Sequence, residues 1–114
     1  MKVIESSENL NPKAIYNLTK SPKTRKISEA VGQVLTVDKW VIYEDADKKT
    51  GEARELLAID TGAEVFATNS STFIESFRSG RELFVQYGAD VKTIEVISGT
   101  SKNGRNYMDC VVSD

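Results

Sequence analysis

The chain has 114 residues, 39% hydrophobic and 28% charged, with 17 acids against 15 bases and a formal net charge of −2. A chain of this length makes one domain that buries roughly two-thirds of its unfolded surface, and its slight negative charge excludes coating of nucleic acid by bulk charge alone. The absence of histidine removes the commonest general base and metal ligand, and with it Ser-His and Cys-His catalysis.

Charge is segregated along the chain. Residues 13–26 hold Lys13, Lys20, Lys23, Arg25 and Lys26 with no acid, whereas 44–55 hold five acids against three bases. One surface of an acidic protein can therefore still be positive. At the N-terminal end, Asn11 before Pro12 is an N-cap followed by proline at the first helical position, which predicts a short helix over PKAIYNLTK. Ser21-Pro22 ends it, because the residue before proline is pushed out of the helical region. SPKTRK follows as a basic connector, and residues 1–26 read as an N-terminal basic and helical extension of a domain over 27–114.

Val31 to Tyr43 is rich in β-branched and aromatic residues and predicts a long strand. Its period-two phase changes: Leu35, Val37 and Lys39 share one face, Trp40 and Ile42 the other, so a bulge or bend is expected near Asp38 and Lys39. EDADKKTGE is a polar loop. It begins like a calcium loop at Asp45 and Asp47, but it has Thr50 where glycine is needed and Leu56 where glutamate is needed. ARELLAID is the second strand, Thr61-Gly62 a turn and EVFAT the third strand. NSSTFIESFRSG then carries helix punctuation: Thr72 with Glu75 fits a capping box, Phe73 and Phe77 stand four apart, and Gly80 suits the position after the helix end. RELFVQYGAD reads equally as more helix or as a connection.

VKTIEVIS and RNYMDCVV are the fourth and fifth strands, joined by GTSKNG. Gly99 and Gly104 have the spacing of a phosphate-cradling loop. That loop needs lysine and then a hydroxyl after the second glycine, and here Arg105 and Asn106 stand in those places. Asn103-Gly104 between two strands instead predicts a hairpin with a type I′ turn. Met108, Cys110 and Val112 alternate as core, which puts Tyr107 on the opposite face. Acids are scattered without an acid and base pairing, so no enzyme, catalytic residue, metal site or cofactor is expected.

Three strands, a helix and two strands, preceded by a short helix, is the order of the OB-fold, a small five-stranded Greek-key barrel whose face and rim loops bind oligonucleotides. The fold class expected is therefore mainly β and OB-fold-like. The run VKTIEVISGTSKNGRNYMDCVVSD resembles the C-terminus of the single-stranded DNA-binding proteins of the small protein-primed Bacillus phages, which close with a GTS-x-x-G hairpin between two strands. A weaker likeness covers Gly32 to Phe77. The resemblance implies a phage replication protein that coats exposed single strands, with Tyr43 and Phe66 as stacking residues. The first loop lacks the family's aromatic, and the basic segment 13–26 is not part of the likeness.

Single-strand binding combines cations along the backbone with aromatic faces for the bases. Trp40, Tyr43, Phe66 and Tyr107 are the aromatics on predicted strands, Trp40 reading equally as core or contact, while Tyr16 and Tyr87 read as packing residues. Lys23, Arg25, Lys26, Lys39, Lys102 and Arg105 are the expected phosphate contacts. The expected partner is single-stranded DNA, with replication proteins as further partners, acting as a monomer or small homo-oligomer. The single Cys110 cannot form an internal disulfide, and no signal peptide or apolar run of spanning length is present, so a cytoplasmic setting without membrane association is expected, that of the host cell for a phage protein. The alternative is an accessory module that uses the same small barrel to grip another protein.

Overall fold

The computed structural model describes residues 1–8 and 10–114. In chain order the elements are β1 (Lys2–Ser6), α1 (Pro12–Lys20), β2 (Arg25–Lys26), a single 3-10 turn (Ile27–Ala30), β3 (Val34–Thr36), β4 (Lys39–Ala46), β5 (Ala53–Asp60), β6 (Val65–Thr68), α2 (Ser71–Gln86), β7 (Thr93–Thr100) and β8 (Asn106–Ser113). The protein is mainly β. Five strands form one sheet in the order β1-β4-β5-β6-β2, and three form another in the order β3-β7-β8.

The expected long strand is present and broken where its phase changes. β3 pairs with β7, whereas β4 pairs with β5. At the break, consecutive amides serve different sheets: Val37 N–H donates to Lys92 O (2.8 Å) and Asp38 N–H to Asp60 O (2.9 Å). The bend is thus the point at which one chain passes between sheets. β6 and β8 are not hydrogen-bonded to each other. β2 lies parallel to β6 and takes its edge, so the hydrogen-bonded ring expected of a closed five-stranded barrel is not formed.

Residues 1–26 build this sheet rather than extend from it. β1, which the sequence reading missed, pairs antiparallel with β4, with an irregularity between Val3 and Glu5. α1 starts as expected, the Asn11 side chain accepting from Ala14 N–H at 2.8 Å, and its Leu18 is buried against Val41, Tyr43 and Ala58. This explains why Trp40-Val41-Ile42-Tyr43 is apolar without alternation: both faces of β4 are covered. Trp40 and Ile42 face the main core, Val41 and Tyr43 a second core beneath α1.

α2 corrects two expectations. Its cap is Ser70, whose hydroxyl accepts from Phe73 N–H (3.3 Å), not the Thr72 and Glu75 box. Gly80 lies inside the helix, which runs on through RELFVQ to Gln86. A Cβ at Gly80 would collide with the Val112 side chain, so the glycine serves close approach to β8 rather than a helix end. Phe73, Ile74 and Phe77 are buried as expected. Trp40 meets Phe77 edge to face at 5.2 Å, and the Arg81 guanidinium covers the Trp40 ring at 4.9 Å while pairing with Asp90 (3.2 Å). Arg78 bridges Glu55 (3.2 Å), Glu5 (3.6 Å) and Glu75 (3.9 Å), tying α2 to β5 and β1. Burial alone would lower its pKa; hydrogen bonding to Glu55 and the nearby carboxylates raise it on balance.

Candidate functional site

The 99–107 stretch is a hairpin, but its turn is not type I′. Gly104 N–H donates to Ser101 O (2.9 Å) and Ser101 N–H to Arg105 O (2.8 Å), and Gly104 has φ +77°. That is a three-residue loop, Lys102-Asn103-Gly104, in which the left-handed glycine forms a bulge and the Ser101 hydroxyl accepts from Arg105 N–H (3.2 Å). Pairing of Ser101 with Arg105 and Gly99 with Tyr107 puts Arg105 and Tyr107 on one face of β8.

Tyr107 is 43% exposed. A Cβ at Gly99 would stand 2.6 Å from the Tyr107 ring carbon Cζ and hydroxyl oxygen. The ring therefore rests on the glycine backbone, and only glycine leaves it room to lie that close. The other three aromatics are corrections. Trp40 (3% exposed) and Phe66 (3%) lie in the main core, and Tyr43 (5%) lies beneath α1. Their flat faces are spent on packing, not presented to solvent. Burial, and secondarily Asp45, pushes the Tyr43 phenol pKa up. Tyr16 and Tyr87, read as packing residues, are instead exposed, at the surface of α1 and just past the end of α2. Cys110 is core as expected: burial, with Asp109 adding, pushes its thiol up to about 12.

The expected cations divide into two groups. Arg25 already binds Glu64 (2.9 Å), approaches Glu29 (3.8 Å) and stacks over Phe66 (5.3 Å); Lys39 pairs with Asp38 (3.3 Å). Lys23, Lys26, Lys102 and Arg105 are exposed and have no ion-pair partner among the described residues. Lys23 borders a cleft with Asp60 and Glu64. Lys26, in register with Ala67 on β6, lines a different cleft together with Met108 of β8.

That second cleft was not expected. It is a groove of about 380 Å³ between β2, the start of α2 and β8, lined by Leu56, Ala67, Ile27 and Met108 and rimmed by Lys26, Ser28, Thr68, Asn69 and Ser70. Leu56 also lines a shallow cleft beside Lys48, Lys49 and the 47–52 loop. In that loop Asp47 accepts from Lys49 N–H (2.8 Å) and pairs with Arg54, contacts that together hold its carboxyl below the usual range, the Lys49 bond contributing most. Lys48 and Lys49 have no ion-pair partner among the described residues. The outer surface of β5 and β6 left open by α1 thus runs from two lysines of the first loop, over Leu56 and Ala67, to Lys26 and the hairpin strand.

Only a strand-loop signal marks Lys48 and Lys49 in the sequence; Leu56 and Met108 look like ordinary strand residues, and their accessible edges follow from the position of α1 and the gap beside β8. Among the described residues no helix is long and apolar enough to cross a membrane, and no cluster of three acidic or cysteine ligands is poised for a metal. Comparison with family models, with curated proteins and with solved structures returns no match to this chain.

Proposed function

We propose that this protein binds single-stranded DNA without sequence specificity, as a phage replication protein of the kind its C-terminal hairpin resembles. The observation that carries the reading is the Tyr107 ring, backed on one side by Gly99, on the same hairpin face as Arg105, which has no ion-pair partner among the described residues, with Lys102 in the loop of that hairpin. A flat ring held against a sheet beside unneutralised cations is the arrangement on which a base stacks while its phosphate is neutralised. The strand order supports an OB-like architecture, with β3 and β4 as the divided first strand, β5 and β6 as the second and third, α2 between third and fourth, and β7 and β8 closing the chain. In that architecture the β5 and β6 face and the loops at 47–52 and 101–105 hold the ligand.

Stacking here rests on one exposed strand aromatic rather than four, so affinity depends more on cations. Anisotropy of labelled oligo-dT tests this: binding at low salt that weakens as salt rises is expected, and absence of binding at low salt overturns it. The same buried Trp40 makes its fluorescence a poor reporter. A second reading, a protein-binding module, has its own support. The outer face of the three-stranded sheet is uncovered, with exposed Val34 and Val111 on either side of Glu95. Failure to bind oligo-dT favours that reading.

A further inference from the structure

We infer that the groove between β2, the start of α2 and β8 is a pocket for one nucleobase of the bound strand. The inference rests on the single-strand reading and adds a site to it. Four other clefts of the molecule each carry carboxylates: Glu8, Asp90 and Asp114; Glu55 and Glu75; Asp60 and Glu64; Asp45 and Asp47. The groove has none in its lining, and its one charged group is Lys26. Glu29, the nearest acid in sequence, is turned to the Lys26 backbone N–H (3.1 Å) and toward Arg25 (3.8 Å).

The lining has two chemistries in the places a nucleotide needs them. Leu56, Ala67 and the polarizable Met108 thioether form an apolar floor against which a flat heterocycle loses little by leaving water. Asn69 is exposed and its side-chain amide makes no hydrogen bond among the described residues, leaving a carbonyl acceptor and an NH₂ donor side by side. That pair matches the adjacent donor and acceptor on a base edge, and either orientation of the amide serves, so recognition tolerates different bases. Lys26 stands at the rim, where the linking phosphate would lie. The volume of about 380 Å³ is at the small end of the roughly 300–1,000 Å³ of small-ligand sites. Met108 and Tyr107 are adjacent on β8 and point to opposite faces, and β8 has no strand partner on its groove side. A strand crossing that edge places one base on Tyr107 and another in the groove.

The test is amide and methyl NMR of the full chain, titrated with oligo-dT and separately with an abasic strand of the same length at the same salt. The expected result is that Asn69, Ser70 and the Met108 methyl shift with oligo-dT and not with the abasic strand, and that Asn69→Ala weakens oligo-dT binding about two- to tenfold, as for one lost hydrogen bond. Equal shifts with both strands mean that the backbone alone touches the groove and overturn the inference. Shifts confined to residues 102–107 also overturn it, while leaving single-strand binding intact. No shifts with either strand overturn the single-strand reading itself. Asn69 lies outside the secondary-structure elements and its side chain is exposed, so the variant keeps the fold.

Discussion

Tyr107 and Tyr43 differ in one neighbour each. Tyr107 lies on Gly99 and keeps its outer ring face; Tyr43 lies under Leu18 and loses both. The residue-scale prediction follows from that difference. Tyr107→Ala is expected to weaken oligo-dT binding by roughly 5- to 150-fold, the 1–3 kcal/mol of one base stack, whereas Tyr107→Phe retains most of it because the ring, not the hydroxyl, does the stacking. Neither substitution should lower the thermal midpoint by more than a surface change does, since the side chain is half exposed. Anisotropy and a melting curve on each variant check both statements. Equal affinity of Tyr107→Ala and the parent protein sinks the stacking role.

At the scale of the element, α1 and the 47–52 loop each carry a prediction. α1 is short, capped by Asn11, and inserts a single fully buried side chain, Leu18, over the outer face of β4 and β5. Leu18→Ala is expected to cost about 2–5 kcal/mol in urea unfolding, because it leaves a cavity over Val41, Tyr43 and Ala58. Asn11→Ala, which removes only the cap, should cost about 1 kcal/mol. A loss at Leu18 no larger than at Asn11 would mean that the helix is not packed as described. The loop responds to acid. Asp47 has a folded-state pKa below the ordinary 3.8, so the contacts it accepts contribute above that value and are lost as pH falls through the lower, folded one. The protection factors of the Lys49 and Thr50 amides, exchange being taken relative to its intrinsic rate at each pH, should therefore hold at neutral and mildly acidic pH and fall only below pH 3.8. Asp47→Asn, which cannot titrate, should remove that step.

For the whole molecule the controlling quantity is which cations remain unpaired, not how many there are. Lys23, Lys26, Lys102 and Arg105 carry no ion pair among the described residues, whereas Arg25 and Lys39 are neutralised by Glu64 and Asp38. If those four meet phosphates, log K against log[salt] should have a slope of about −3, at roughly −0.7 per contact on a single strand. Lys102→Ala should flatten it by about one contact, and Lys39→Ala should leave it nearly unchanged. A slope near zero removes the electrostatic part of the proposal.

Much of the local chemistry was legible where a short window decides the outcome. The Asn11-Pro12 helix start, the phase change before Trp40, the strands on either side of α2, the buried Phe73 and Phe77 and the hairpin around Gly104 all depend on neighbours within a few residues. What the sequence could not determine depends on distant ones. Gly80 has the signature of a helix end but sits opposite Val112, which lies far along the chain. The turn is a local exception: Asn103-Gly104 has the signature of a type I′ turn, yet the Ser101 and Arg105 pairing requires a bulge with a single left-handed residue. Trp40, Tyr43 and Phe66 have the composition of a stacking platform, and only tertiary packing makes them core: Trp40 and Phe66 lie in the main core with Phe73 and Phe77 of α2, and Tyr43 lies with Leu18 of α1. Pairing of β2 with β6 leaves the edge of β8 open, and with it the groove. Exposure is a property of what comes to rest on a residue, and in this protein the covering elements are separated in the chain from the residues they cover.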